Sequence, residues 1–297
     1  MANIPLLVAE ERGLFEKYGV NVKIQRFSSG PLAIRALEAG DLDMAYIGMP
    51  PLYHAYERGQ RFRIVAKVNY GQAALITHTN SPIQSLKDLR GKKIAGIRAG
   101  SGMDVLLRAY ILEELAELDS EKDVKIIPMP AKIMHGALMH DVVDAAFTWE
   151  PYVSEAILAD KARIVLDLNK FIPKYPWYVI AATEHATGQH RQYMFKVLQA
   201  HREAVQYLSA HPDAGTDLIM SQFRLDAKAV AVGAQVLPEE IVREARHRLG
   251  WQCSFNEQDK YFLQRLIRYS QQLGYIKQPI KVDELIDQEA IEFINQR

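Results

Sequence analysis

Two stretches of this chain repeat one another, and a duplicated unit constrains the architecture more than any single motif. Val22-Lys23-Ile24 recurs as Val124-Lys125-Ile126, an offset of 102. One gap later an offset of 101 pairs Ala36-Leu37 with Ala137-Leu138, Asp43 with Asp144, Ala45 with Ala146 and Pro50 with Pro151. Each copy reads strand, helix, strand, proline turn, helix. Residues 22–27 and 124–128 are short runs rich in β-branched side chains, 32–39 and 133–139 are amphipathic, and 44–47 and 145–148 are compact apolar strands. A strand, helix and strand in one sheet imply a right-handed crossover and a parallel sheet with both faces covered. Each copy is therefore expected to seed its own α/β lobe.

Upstream of the second copy lie a helix over about 103–118 and a strand over 92–97. The first copy has the equivalent helix, with Ile4, Leu7, Val8, Leu14 and Phe15 on one face and Gly19 beyond its end. No strand precedes that helix. A sheet lacking its first strand leaves an apolar edge open, so the chain is expected to begin after a missing strand. Its first residues lack the charged, apolar, small-residue order of a signal peptide, so a signal sequence is expected to be missing too. Strands at 64–68 and 75–77 and the loop Asn80-Ser81-Pro82 put the outgoing crossover near 76–84. The loop Ile172-Pro173-Lys174-Tyr175-Pro176, between strands 163–166 and 177–182, is the return. Beyond it the chain is helical. Phe195, Leu198, Val205 and Leu208 form one stripe and Phe262, Leu263, Leu266, Ile267 and Leu273 another, wrapping the first lobe. The division expected is 1–79 with 180–297 as the first lobe and 80–179 as the second.

Composition narrows the function. A chain of 297 residues can bury two cores. Thirty-six basic and 36 acidic residues leave no net field to hold nucleic acid. Cys253 is the sole cysteine, which rules out an intrachain disulfide framework or a cysteine-built metal site. No apolar run is long enough to span a bilayer. His135 with His140, and His185 with His190, lack the one-face spacing of helical metal ligands, and no nucleophile elbow, phosphate loop or dinucleotide fingerprint occurs. Neither metal nor cofactor is expected.

Ligands of open α/β sheets sit beyond the strand ends, where helix starts present unpaired N–H groups. Ser28, Ser29 and Gly30, then Gly48 and Met49, supply such starts from the first copy; Ser101 and Gly102, then Trp149 and Glu150, supply them from the second. The indole of Trp149 can stack on a ligand or pack between lobes; Glu150 can accept from an amine or merely complement a helix dipole. The serines can bind or simply cap. Asn3 and Ile4 follow the absent strand, Tyr70 borders the crossover as hinge or wall, and Arg98 offers a planar fork to an acid or to a surface partner. With Glu150 in the site and no buried cation, an anion is disfavoured and a neutral or amine-bearing organic ligand is expected.

Residues 5–19, which include Pro5-Leu6-Leu7-Val8-Ala9-Glu10 and Gly13-Leu14-Phe15, together with Ser29-Gly30-Pro31 and Gly40-Asp41-Leu42-Asp43, resemble the substrate-binding proteins of ABC importers. The similar branch handles nitrate, taurine, aliphatic sulfonates and thiamine-precursor pyrimidines. Residues 86–95 and the run Phe147-Thr148-Trp149-Glu150-Pro151-Tyr152 extend the likeness to about residue 182. The resemblance implies two Rossmann-like lobes joined by two crossovers, the type II periplasmic binding protein fold. It also implies an extracytoplasmic or lipid-anchored monomer that closes on a small organic solute and delivers it to a membrane permease and ATPase. An enzyme of small-acid or cofactor-precursor metabolism on the same scaffold is the alternative. The thiamine-pyrimidine enzymes of the group carry a cysteine-rich motif that this chain lacks.

Overall fold

A computed structural model describes residues 1–27, 29–159, 161–211, 213–223 and 236–296. Among these, the strands are β1 (Met44–Gly48), β2 (Arg63–Gly71), β3 (Ala73–His78), β4 (Lys93–Gly96), β5 (Lys125–Pro128), β6 (Ala145–Trp149), β7 (Ala162–Asp167), β8 (Pro176–Ala182) and β9 (Leu249–Trp251). They form two sheets, ordered β1-β8-β2-β9 and β5-β4-β6-β3-β7. The helices that position the cleft are α1 (Ile4–Glu11), α2 (Leu14–Lys17), α3 (Gly30–Glu38), α4 (Met49–Glu57), α5 (Gly102–Val105), α6 (Ala131–Met139) and α7 (Tyr152–Leu158). α5 continues as π-helical turns through Leu106–Leu115.

The repeat is realised in three dimensions. At the offset of 101, α3 falls on α6 and β1 on β6, end to end. β2 is buried from Ile64 to Asn69 and β3 from Ala73 to Thr77, the continuous burial that central strands covered on both faces require.

Five expectations change. Parallel pairing holds for β4 with β5 and with β6, but β3 is antiparallel to β6 and β7, and β8 to β1 and β2. Only a helical crossover forces parallel neighbours, and β2 passes to β3 through Gln72 alone. Consequently β3 lies in the second sheet, and the outgoing crossing falls at Gly71–Gln72 rather than at 76–84. β8, from Pro176, already lies in the first sheet, ahead of residue 180. Residues 22–27 join no ladder, because β1, the equivalent of the strand two places from β5, is itself the edge of its sheet. Finally, the helix Glu257–Gln272 does not serve the first lobe only. Its Arg265 and Tyr269 bond Glu114 of the second lobe.

The buried polar groups of the first lobe make its stability sensitive to acid. His201, on the helix Arg191–Ala210, is fully buried. Its Nε2–H donates to the Lys67 carbonyl at 3.0 Å, which leaves Nδ1 to accept from the Tyr46 hydroxyl at 3.1 Å. Burial pushes the imidazole from 6.5 down to about 4, against an upward pull from the Lys67 carbonyl. The unfolded chain therefore takes up the proton first. Stability is complete above pH 6.5 and is lost as pH falls from there toward about 4, by on the order of 3 kcal/mol at about 1.4 kcal/mol per pH unit. Urea unfolding at several pH values should show this loss in the native chain and a much shallower one in His201→Gln. An equally steep loss in the variant would place the sensitivity elsewhere.

Candidate functional site

A cleft of about 1060 Å³ separates the lobes. Its first-lobe wall is made of helix starts. α3 begins behind Ser29, whose backbone is extended (φ −158°, ψ 154°) and whose hydroxyl makes no capping bond. α4 begins behind Gly48. Pro31 and Pro50 occupy first-turn positions, where a missing N–H costs nothing. The remaining orphan N–H groups of these turns give the wall a partial positive charge.

The second lobe contributes Arg98, Ser101, Gly102 and Trp149. Arg98 is exposed, and among the described residues its guanidinium has no hydrogen-bond or ion-pair partner. Ser101 is committed to structure, since its hydroxyl accepts from the Asp104 N–H at 3.2 Å. Asp104 in turn accepts from Gly100 N–H (3.0 Å), Arg108 Nε (2.8 Å) and the Tyr275 hydroxyl (2.6 Å), fixing the loop that carries Arg98. Gly102 lies close against Pro50 of the other lobe. A Cβ there would lie 3.3 Å from Pro50 Cγ.

Trp149 is half-buried at the end of β6, with Trp177 of β8 across the cleft at 6.5 Å between ring centroids and Tyr152 edge-on at 6.1 Å. Two indoles, one from each lobe, thus form an apolar wall suited to a carbon skeleton. Two amide oxygens of residues lining the cleft, Asn3 Oδ1 and Gln72 Oε1, are buried without a partner among the described residues. Such groups are costly unless something donates to them.

The cleft brings together Asn3, Ser29, Gly30, Gly48, Met49, Arg98, Ser101, Gly102 and Trp149. Ser28 lies outside the described residues. Three expected residues are elsewhere. Ile4 is fully buried in the core between α1 and the helix Arg191–Ala210. Tyr70 belongs to the hinge, paired in β2 with Gly250 and Pro176. Glu150 is fully buried and faces away from the cleft, bonded to Arg248 Nε and to Ser154 through its N–H (3.0 Å) and Oγ (2.7 Å). Burial pushes the Glu150 carboxyl up, while the Arg248 guanidinium and the two Ser154 donors pull against it.

That placement removes the argument for a neutral or amine-bearing ligand. The carboxylate supposed to repel anions is neutralised inside the protein, and the open charge in the cleft is Arg98, with Arg35 of α3 nearby on the wall. Sequence reading also missed Trp177, Tyr178 and Arg35. The signal for the first two was present: aromatic side chains at the start of a strand that returns from a crossover stand where both lobes meet.

The sequence matches the NMT1-like family over residues 1–220. A Bacillus subtilis protein named for aliphatic sulfonate binding is 32% identical over 232 residues, covering 76% of this chain and 68% of that protein. The periplasmic aliphatic sulphonate binding protein of Escherichia coli has the same fold, with a TM-score of 0.81 at 21% identity over 96% of this chain and 89% of that one. So does a desulfurization enzyme solved with biphenyl-2-sulfinic acid, at a TM-score of 0.70 and 18% identity over 98% and 95% of the two chains. With the repeat, the cleft and a match across most of its length in agreement, the chain belongs to the NMT1-like family and is a two-lobed solute-binding protein.

Proposed function

We propose that this protein is an extracytoplasmic receptor for a small organosulfonate, which it captures by closing its lobes and hands unaltered to the permease and ATPase of an ABC importer. The observation that carries the reading is Arg98, a free guanidinium on a braced loop facing helix starts of the opposite lobe. Its fork matches a tetrahedral acid. Ser29 and the N–H groups of α3 and α4 complete the oxyanion contacts from the other side, and Trp149 and Trp177 cover the carbon chain. The moving bodies are residues 1–71 with the first-sheet part from Pro176, and the second sheet from Ala73 through Asp167. Ligand contacts from both bodies favour the shut state. Among the described residues no helix is long and apolar enough to cross a membrane.

Calorimetric titration with an alkanesulfonate series, taurine, nitrate and a pyrimidine tests this. Alkanesulfonates should bind one to one, and Arg98→Ala should weaken them about ten- to a hundredfold, the worth of one charge-assisted contact. Tight binding of a pyrimidine or an amine with none of sulfonate, or an unchanged affinity in Arg98→Ala, would overturn the reading. The enzymatic alternative draws on the fold shared with the desulfurization enzyme. Against it, Cys253 lies outside the cleft and burial pushes its thiol up, away from a reactive thiolate. Recovery of the bound sulfonate intact after long incubation is expected; release of sulfite would make the protein an enzyme.

A further inference from the structure

The two indoles of the cleft belong to a longer run of aromatic rings. Between ring centroids, Phe262 lies 5.3 Å from Tyr175, Tyr175 6.1 Å from Trp177, Trp177 6.5 Å from Trp149, Trp149 6.1 Å from Tyr152 and Tyr152 6.4 Å from Phe223. The run passes from the first lobe to the second between Trp177 and Trp149 and ends on the helix Thr216–Phe223. All of these residues except Tyr152 line the cleft. Successive rings are tilted, the two indoles by 44° and Trp149 against Tyr152 by 76°, so ring faces stand beside ring edges. An alkyl chain on such a wall gains from buried area alone. A planar ring stacked on one indole and edge-on to the next also gains from the ring quadrupoles, about two- to tenfold in affinity.

Gln72 stands beside this aromatic corner. Its neighbours Gly71 and Ala73 donate their N–H groups to the carbonyl and the hydroxyl oxygen of Tyr175, each at 3.2 Å, and Ala73 is the ladder partner of Trp149. Gln72 is 3% exposed and lines the cleft, and its Oε1 accepts from no group among the described residues. The residue also sits at φ +83°, a backbone conformation that favours glycine. A glycine there would relieve the backbone and remove the orphaned oxygen. Glutamine keeps both costs, the pattern of a residue retained for what its side chain meets. What Oε1 lacks is a donor. Arg98 is exposed and Gln72 buried, so a ligand that reaches both lies along the depth of the cleft, with its acid group outermost and its donor innermost.

We infer that the solute is an aromatic sulfonate whose ring lodges in the corner between Trp149 and Trp177, with a hydroxyl or amino group opposite the sulfonate donating to Gln72 Oε1. The inference rests on the sulfonate reading and narrows it. Trp149, Trp177 and Gln72 set the specificity, while Arg98 holds the acid that all sulfonates share. Because the two indoles belong to different lobes, a ring in contact with both favours the shut state more than an alkyl chain does.

Calorimetric titration of the whole chain with matched pairs of sulfonates tests both contacts. Benzenesulfonate should bind about three- to tenfold tighter than cyclohexanesulfonate, a ring of the same carbon count without a π-face. Of the para-substituted rings, 4-hydroxybenzenesulfonate or 4-aminobenzenesulfonate should bind about tenfold tighter than 4-methylbenzenesulfonate, which has a similar volume and no donor. Gln72→Met should abolish the second preference and keep the first. Trp149→Leu should bring benzenesulfonate and cyclohexanesulfonate to within about twofold of each other. Cyclohexanesulfonate binding as tightly as benzenesulfonate, 4-methylbenzenesulfonate binding as tightly as both donor-bearing rings, or a donor preference that survives in Gln72→Met would each overturn the inference. Tight binding of alkanesulfonates with neither preference would end this inference and leave the sulfonate receptor standing. Failure of every sulfonate to bind would end both.

Discussion

Gly71→Ala is expected to lower the unfolding free energy by on the order of 4 kcal/mol, as a sum of three costs. Gly71 sits at φ +76°, and a side chain there carries the left-handed penalty of about 1 to 2 kcal/mol. A Cβ would also lie 2.1 Å from the Arg248 carbonyl oxygen and 2.5 Å from Asn169 Nδ2, so those groups must move. That carbonyl accepts from the Gln72 N–H and from Asn169 Nδ2, each at 2.8 Å, and losing buried bonds of this kind costs about 1 to 1.5 kcal/mol apiece. Because the Gly71 N–H donates to Tyr175 O at 3.2 Å, the disturbance falls where the outgoing and returning crossings touch. Gly13→Ala is the control, a glycine at φ +63° with nothing within 4 Å of the added atom. Denaturant unfolding should show only the backbone penalty for Gly13→Ala and several times that loss for Gly71→Ala. Equal losses would mean that the hinge is not packed as described.

The same crossing marks the limit of what the sequence reveals. The repeat at 101 residues was legible because a duplicated unit keeps its core pattern, and α3 with α6 and β1 with β6 fall where that pattern puts them. The crossing at Gln72 was not legible, because β2 and β3 are separated by Gln72 alone, and a passage between sheets needs no proline or charged loop to mark it. The cleft divides in the same way. Gly48 and Arg98 stand at strand ends and Ser29 at a helix start, positions that sequence defines, so their approach to one cleft could be anticipated. Glu150 also follows a strand end, yet its partner Arg248 is 98 residues away, and long-range ion pairs leave no local pattern.

Arg248→Ala should be among the most damaging single changes, at about 3 to 5 kcal/mol, because it strands the fully buried Glu150 carboxylate with Ser154 as its only side-chain partner among the described residues. Glu150→Ala should cost less, since Arg248 keeps Glu244 Oε1 at 2.9 Å on a side chain that water reaches. Replacing both with methionine should recover most of the loss, because the penalty lies in the unpaired charge and not in absent attraction. The pH dependence supplies a check with a definite sign. Without the guanidinium, burial holds the Glu150 carboxyl above its ordinary 4.5, so the folded state takes the proton first. Arg248→Ala should therefore recover stability as pH falls toward 4.5, a gain opposed to the acid loss from His201, and the Arg248→Ala, Glu150→Gln double variant should lack the gain. Glu150→Gln alone must leave sulfonate affinity unchanged, for the side chain touches Arg248 and Ser154 and not the cleft. A large fall in affinity at wild-type stability would return Glu150 to the ligand, and with it the preference for a neutral or amine-bearing solute.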